Sequence, residues 1–112
     1  MIIMHLKDEP FDSIKSGLKV YEVRLNDEKR QKVGSGDTIL FKRASNSLDG
    51  VVVRVVDRRE FNTFDDMLKR LDFTDLGMSG KSANEILDLY HSFYSVDDEK
   101  KYGVVAFKIE LL

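Results

Sequence analysis

The sequence predicts an α+β fold, a small β-barrel of about five to six mixed, mostly antiparallel strands with peripheral helices. Two observations lead there. The element signals run β, α, β, β, β, α, α, β, which is not the strict alternation of a doubly wound parallel sheet. The chain has 112 residues, 42% of them hydrophobic and 34% charged, with one Pro and seven Gly, a composition suited to one domain spanning 1–112 around a single core.

Residues 1–6 form the first strand signal. Asp8-Glu9-Pro10 follows with a cap and a proline fit for a first helical turn. Phe11, Ile14 and Leu18 carry helical spacing through Ser16, and Gly17 is placed to leave the helix in a left-handed conformation. A second strand is expected over 19–25. The polar run 26–32 is a loop or helical turn, and Gly34-Ser35-Gly36-Asp37 is a turn by composition. Strand three covers 38–42. After a loop at 44–50, the β-branched run 51–56 predicts a buried strand that continues toward Phe61 through Arg58-Arg59. Thr63 caps a helix to Leu71 with Met67, Leu68 and Leu71 inward. Ser82-Ala83-Asn84-Glu85 matches a capping box ahead of a helix to Tyr94, whose stripe Ile86, Leu89, Tyr90, Phe93 and Tyr94 reads as core. Asp97-Asp98-Glu99 reads as a solvated loop, and 103–111 as the last strand.

Charge and cysteine content narrow the function classes. The net charge of −2 argues against a histone-like polyanion binder, although residues 1–43 are net positive by two. With no cysteine there is neither a disulfide nor a thiolate metal site, which fits a reducing, cytoplasmic setting. The amino terminus is too short for a signal segment, and no apolar run is long enough to span a membrane. Metal-ligand spacings are absent, so no metal or cofactor is expected.

Gly17-Leu18-Lys19-Val20-Tyr21-Glu22-Val23-Arg24 is the segment that points to chemistry. It sets three charged side chains in an otherwise apolar strand, where an unpaired charge costs several kcal/mol. Alternation sends Glu22 and Arg24 to one face and Lys19 and Tyr21 to the other. The bland alternative is a surface Glu22/Arg24 ion pair worth about 0–1 kcal/mol.

Gly17-x-Lys19-x-x-Glu22-x-Arg24, with Asn26-Asp27-Glu28-Lys29-Arg30, Gly36-Asp37, the opening Leu6-Lys7-Asp8-Glu9-Pro10-Phe11 and the closing Lys101-Tyr102-Gly103-Val104-Val105-Ala106, resembles the ASCH (activating-signal-cointegrator homology) family, in its small stand-alone form, over nearly the whole chain. The resemblance implies a PUA-like barrel with a cleft between barrel and helices, and an RNA or nucleoside/nucleotide ligand. It places Lys19, Glu22 and Arg24 in that cleft, as ligand-binding residues and, in an enzyme, as the catalytic ones. Lys19 and Arg24 suit a phosphate or carbonyl, Glu22 a base amino group. Tyr21, Tyr90, Tyr94 and Tyr102 are stacking candidates, and Lys29 and Arg30, like Arg58-Arg59, would extend a phosphate-binding surface.

Two enzymatic alternatives come with the resemblance, ribonuclease chemistry and an amidohydrolase acting on acetylcytidine. In the latter a lysine, a hydroxyl residue three positions on and a distant glutamate act together. Here Glu22 stands at the hydroxyl position, and Glu85 lies only in the general region of the distant glutamate. A base role for Lys19 requires a pKa drop from about 10.4 toward 7, about 4.6 kcal/mol, which a neighbouring Glu22 opposes. Lys19 is therefore expected to be a cationic anchor. His5 and His91 are expected to be structural or exposed. A protein-interaction module is the remaining alternative, and it requires Phe93 and Tyr94 to form one exposed patch.

Overall fold

The computed structural model describes all 112 residues and orders them as β1 (Ile2–Leu6), α1 (Asp8–Lys15), β2 (Tyr21–Leu25), a 3-10 turn (Arg30–Lys32), β3 (Thr38–Arg43), β4 (Asn46–Phe61), α2 (Phe64–Leu68), α3 (Ala83–Phe93), α4 (Val96–Tyr102) and β5 (Val104–Leu111). One five-stranded sheet runs β1-β3-β4-β5-β2, with β1 parallel to β3 and every other pairing antiparallel. It curls into a half-barrel. β4 makes this possible, because its 16 residues pair with β3 along the first half and with β5 along the second. The register slips between Val55 and Asp57, where the strand passes into its second half.

Alternation along β5 divides the core into two layers. Val105, Phe107 and Ile109 join Met4, Phe11, Ile14, Ile39 and Phe41 inside the half-barrel under α1. Val104 and Ala106 face the helices with Tyr21, Val23, Leu25, Phe64, Met67, Leu71, Ile86 and Tyr90. Arg43 ties α1 to the β3–β4 hairpin by hydrogen bonds to Asp8, Asp12 and Asp49, its guanidinium 4.4 Å over the Phe11 ring.

Most expected elements are present; α2 ends at Leu68 rather than Leu71, and four others differ for physical reasons. The α1 cap is Lys7, which makes no side-chain bond; Asp8 and Glu9 stand in the first turn, where acids complement the helix dipole. The expected loop at 44–50 is largely strand, because β4 already begins at Asn46 as one arm of a hairpin. β2 begins at Tyr21 rather than Lys19. Leu18 and Lys19 donate backbone N–H groups to Ser13 O, and Val20 and Tyr21 to Asp75 O, so 18–20 form a corner following Gly17 (φ +83°). Finally, Asp97-Asp98-Glu99 belongs to α4, with Ser95 Oγ accepting from Asp98 N and Gly103 ending the helix at positive φ. Glu99 is buried there: one carboxylate oxygen accepts from Phe64 N at 2.7 Å and the other lies 2.8 Å from His91 Nε2.

The capping box at Ser82 and Glu85 is formed in both directions, and Met67, Leu68 and Leu71 point inward as expected. In the α3 stripe, Ile86 and Tyr90 are buried, whereas Phe93 is 51% exposed with the Lys7 ammonium over its ring. Tyr94 is half-buried against Phe64, at 5.7 Å between ring centroids, so Phe93 and Tyr94 do not form one exposed patch. No helix is long and apolar enough to cross a membrane.

Candidate functional site

Alternation on β2 puts Tyr21, Val23 and Leu25 into the helix-facing layer and turns Glu22 and Arg24 to the opposite face. Arg24 Nε donates to Glu22 Oε2 at 2.8 Å, and its Nη2 donates to the His5 carbonyl of β1 at 3.0 Å. The guanidinium therefore bridges the two edge strands of the half-barrel. Lys19, expected on the other face, stands on the Glu22 side because the 18–20 corner breaks the alternation. Its ammonium lies 3.8 Å from Glu22 Oε1 and donates to Leu76 O at 3.0 Å. Gly77 makes this approach possible: a Cβ there would sit 3.2 Å from Lys19 Cβ and 3.3 Å from Lys19 Cδ.

Burial makes the cluster unusual. Lys19 is 6% and Glu22 4% exposed, and Arg24 is the most open of the three. Burial pushes the Lys19 pKa down; Glu22 pulls it back and Arg24 adds to the fall, and the net result lies below the ordinary lysine value. Glu22 opposes the lowering, as expected from the sequence, and desolvation is the larger effect. For Arg24, burial is the largest single effect and disfavours the charge, but Glu22, Tyr94 and Asp27 together raise the pKa.

Two tyrosines from the α3 region complete the neighbourhood. The Tyr90 hydroxyl is buried with no hydrogen-bond partner, and its pKa is raised by burial and then by the Glu22 charge. Burial also raises Tyr94, with Arg24 opposing. Sequence reasoning placed both in a core stripe; what singles out Tyr90 is its buried hydroxyl without a partner, a tertiary fact.

The other expected ligand residues fall outside the cluster. Tyr21 is buried in the helix-facing core with Tyr90, its position on β2 alternating away from Glu22 and Arg24. Lys29 is exposed in the loop after β2. Arg30 is half-buried and pairs with Asp27 at 3.2 Å. Arg58 is held inside the fold, donating to the carbonyls of Arg30 and Val33 and to Asn26 Oδ1. Glu85 is exposed and bound to its own helix cap. A cleft of about 890 Å³ opens beyond the end of β2, lined by Asn26, Phe61, Tyr102 and basic residues, and does not include Lys19, Glu22 or Arg24.

A mixed five-stranded half-barrel with α1 packed on one face and α2 and α3 on the other is a PUA-like fold. The chain belongs to the ASCH domain family, whose model matches residues 4–112. It is similar to the crystal structure of the hypothetical protein PH0355, at 36% identity and a TM-score of 0.87 over 98% of this chain and 97% of that one. The solution structure of protein PF0455 from Pyrococcus furiosus is 35% identical, with a TM-score of 0.77 over 99% and 96% of the two chains. An ASCH domain from Lactobacillus crispatus shares the fold at 13% identity, TM-score 0.68, covering 98% and 79%. No curated protein matches the chain.

Proposed function

We propose that the chain binds single-stranded RNA and takes one nucleoside at the Lys19–Glu22–Arg24 cluster. Membership of a family proposed to bind RNA supports the general class. The observation that carries the specific reading is a charge imbalance: buried Lys19 and partly buried Arg24 share one buried carboxylate, and the fold also buries the Tyr90 hydroxyl with no partner. A buried excess charge and an orphan donor are both costly, and a ligand that brings an anion or carbonyl relieves both. The carbonyl edge of a base, or a phosphate, accepts from Lys19, Arg24 and Tyr90. Glu22 accepts from an exocyclic amino group. Arg24, the most exposed member, and half-buried Tyr94 mark the way in.

Titration calorimetry with cytidine, acetylcytidine, uridine monophosphate and a short oligoribonucleotide tests the reading. Binding by the native chain, lost in a folded Arg24→Ala variant, is the expected result. Absence of binding to every one of these ligands overturns it.

The lowered Lys19 pKa favours one second reading, hydrolysis of an acylated nucleoside. A neutral Lys19 amine would take a proton from the attacking water, while Arg24 holds the developing oxyanion. Turnover of acetylcytidine that rises with pH and vanishes in Lys19→Ala is expected; a native chain without turnover on acylated nucleosides retires it.

A further inference from the structure

The cleft beyond β2 collects basic side chains that the fold itself does not use. Arg59, Arg70, Lys100 and Lys101 line it, and none of them forms an ion pair or side-chain hydrogen bond, whereas Arg24, Arg30, Arg43 and Arg58 are all engaged. The cleft holds two acids, Glu60 and Asp66. Glu60 is already committed, accepting from Arg58 at 3.3 Å and Asn26 at 3.1 Å. The cleft is thus locally cationic on a chain whose net charge is −2. Two half-buried aromatic rings stand among the cations, Arg59 lying 5.5 Å over Phe61 and Lys101 5.0 Å over Tyr102.

Position adds to charge. Asn26 lines the cleft and follows the last residue of β2, with its N–H donating to Gly103 O. Only Leu25 separates it from Arg24, two steps of roughly 6.6 Å in all along the chain. A ligand reaching Arg24 therefore stands next to the mouth of the cleft.

We propose that this cleft is a phosphate-binding site for the backbone of the same RNA strand, with Phe61 and Tyr102 as faces on which a base stacks. The inference rests on the nucleoside reading of the Lys19 cluster and extends it from one nucleotide to several. Phosphodiesters meet unpaired cations here, and stacking supplies sequence-tolerant affinity, which together define a single-strand path.

The test is fluorescence anisotropy of a labelled single-stranded oligoribonucleotide across a salt series, with the native chain and Arg70→Ala/Lys100→Ala/Lys101→Ala. All three positions are exposed and unpaired, so the variant is expected to fold as the native chain does. With about 0.7 of log–log salt slope per phosphate contact, the triple variant loses roughly 2 units of slope while cytidine affinity stays unchanged. A triple variant that keeps the native slope overturns the proposal, as does a native chain whose oligonucleotide binding is absent or insensitive to salt. Nucleoside binding with no oligonucleotide binding overturns this cleft and leaves the Lys19 reading standing. A variant-sensitive slope without nucleoside binding supports the cleft and removes that reading.

Discussion

Replacing Glu22 by glutamine separates a buried ionic site from a screened surface pair. The substitution keeps the side-chain shape and removes the only carboxylate within ion-pair distance of both Lys19 and Arg24. Two cations then remain side by side, Lys19 at 6% exposure. Removing one partner of a buried pair costs about 3–5 kcal/mol. Unfolding entropy for a chain of this length is roughly 0.24 kcal/mol per degree, so the melting temperature falls by roughly 13–21 °C. The pH dependence carries a second signature. The folded-state pKa of Lys19 lies below its unfolded value of 10.5, so the unfolded chain binds more protons and stability rises with pH between the folded pKa and 10.5. Glu22 opposes that lowering, and without it the folded pKa drops further. With Glu22 ionised in the native chain, the variant's deficit is therefore largest at the neutral end of this window and narrows as pH rises toward 10.5. Thermal melts and urea titrations followed by circular dichroism between pH 6 and 10, as a practical range, read both effects. A deficit under about 0.5 kcal/mol and flat with pH would refute the buried-cluster account, because that is the behaviour of an exposed pair.

Three further substitutions probe separate parts of the account. Tyr90→Phe removes a hydroxyl without a partner, so stability stays level or rises by up to about 1–3 kcal/mol in urea titration, while nucleoside affinity falls roughly tenfold in calorimetry. Gly77→Ala forces a side chain onto φ +74° and places a Cβ 3.2 Å from Lys19 Cβ; about 1–2 kcal/mol of stability is lost, with weaker nucleoside binding as Lys19 shifts. Ser82→Ala removes the capping box of α3 and costs about 1 kcal/mol, roughly 4 °C in a thermal melt, with ligand binding untouched.

Local signals made much of this fold legible, and tertiary contacts concealed the rest. The pairing of Glu22 with Arg24 follows from the two-residue period of a strand, and the caps at Thr63 and Ser82 follow from hydroxyls placed three residues before a backbone donor. Lys19 was misplaced by the same two-residue rule, which holds only inside a strand, and the hydrogen bonds to Ser13 and Asp75 delay β2 to Tyr21. α4 had a readable signature in Ser95-x-x-Asp98 with Gly103 at its end, masked by the acidic run between them. Glu99 could not be found that way. Its burial depends on the N–H of Phe64 at the start of α2 and on His91, which distant parts of the chain bring to it. Tyr90 was hidden for a similar reason: its ring follows the α3 core stripe, and only the packed fold shows that its buried hydroxyl has no partner.

The most direct measurement is a crystal structure of the chain with a bound ribonucleotide. The account predicts a base or phosphate within hydrogen-bond distance of Lys19 Nζ and the Arg24 guanidinium, with the Tyr90 hydroxyl, now unpartnered, donating to the ligand. A nucleotide bound elsewhere, with the Lys19–Leu76 and Arg24–Glu22 contacts intact and Tyr90 still without a partner, would contradict it and leave the three charges as a structural clasp between the edge strands.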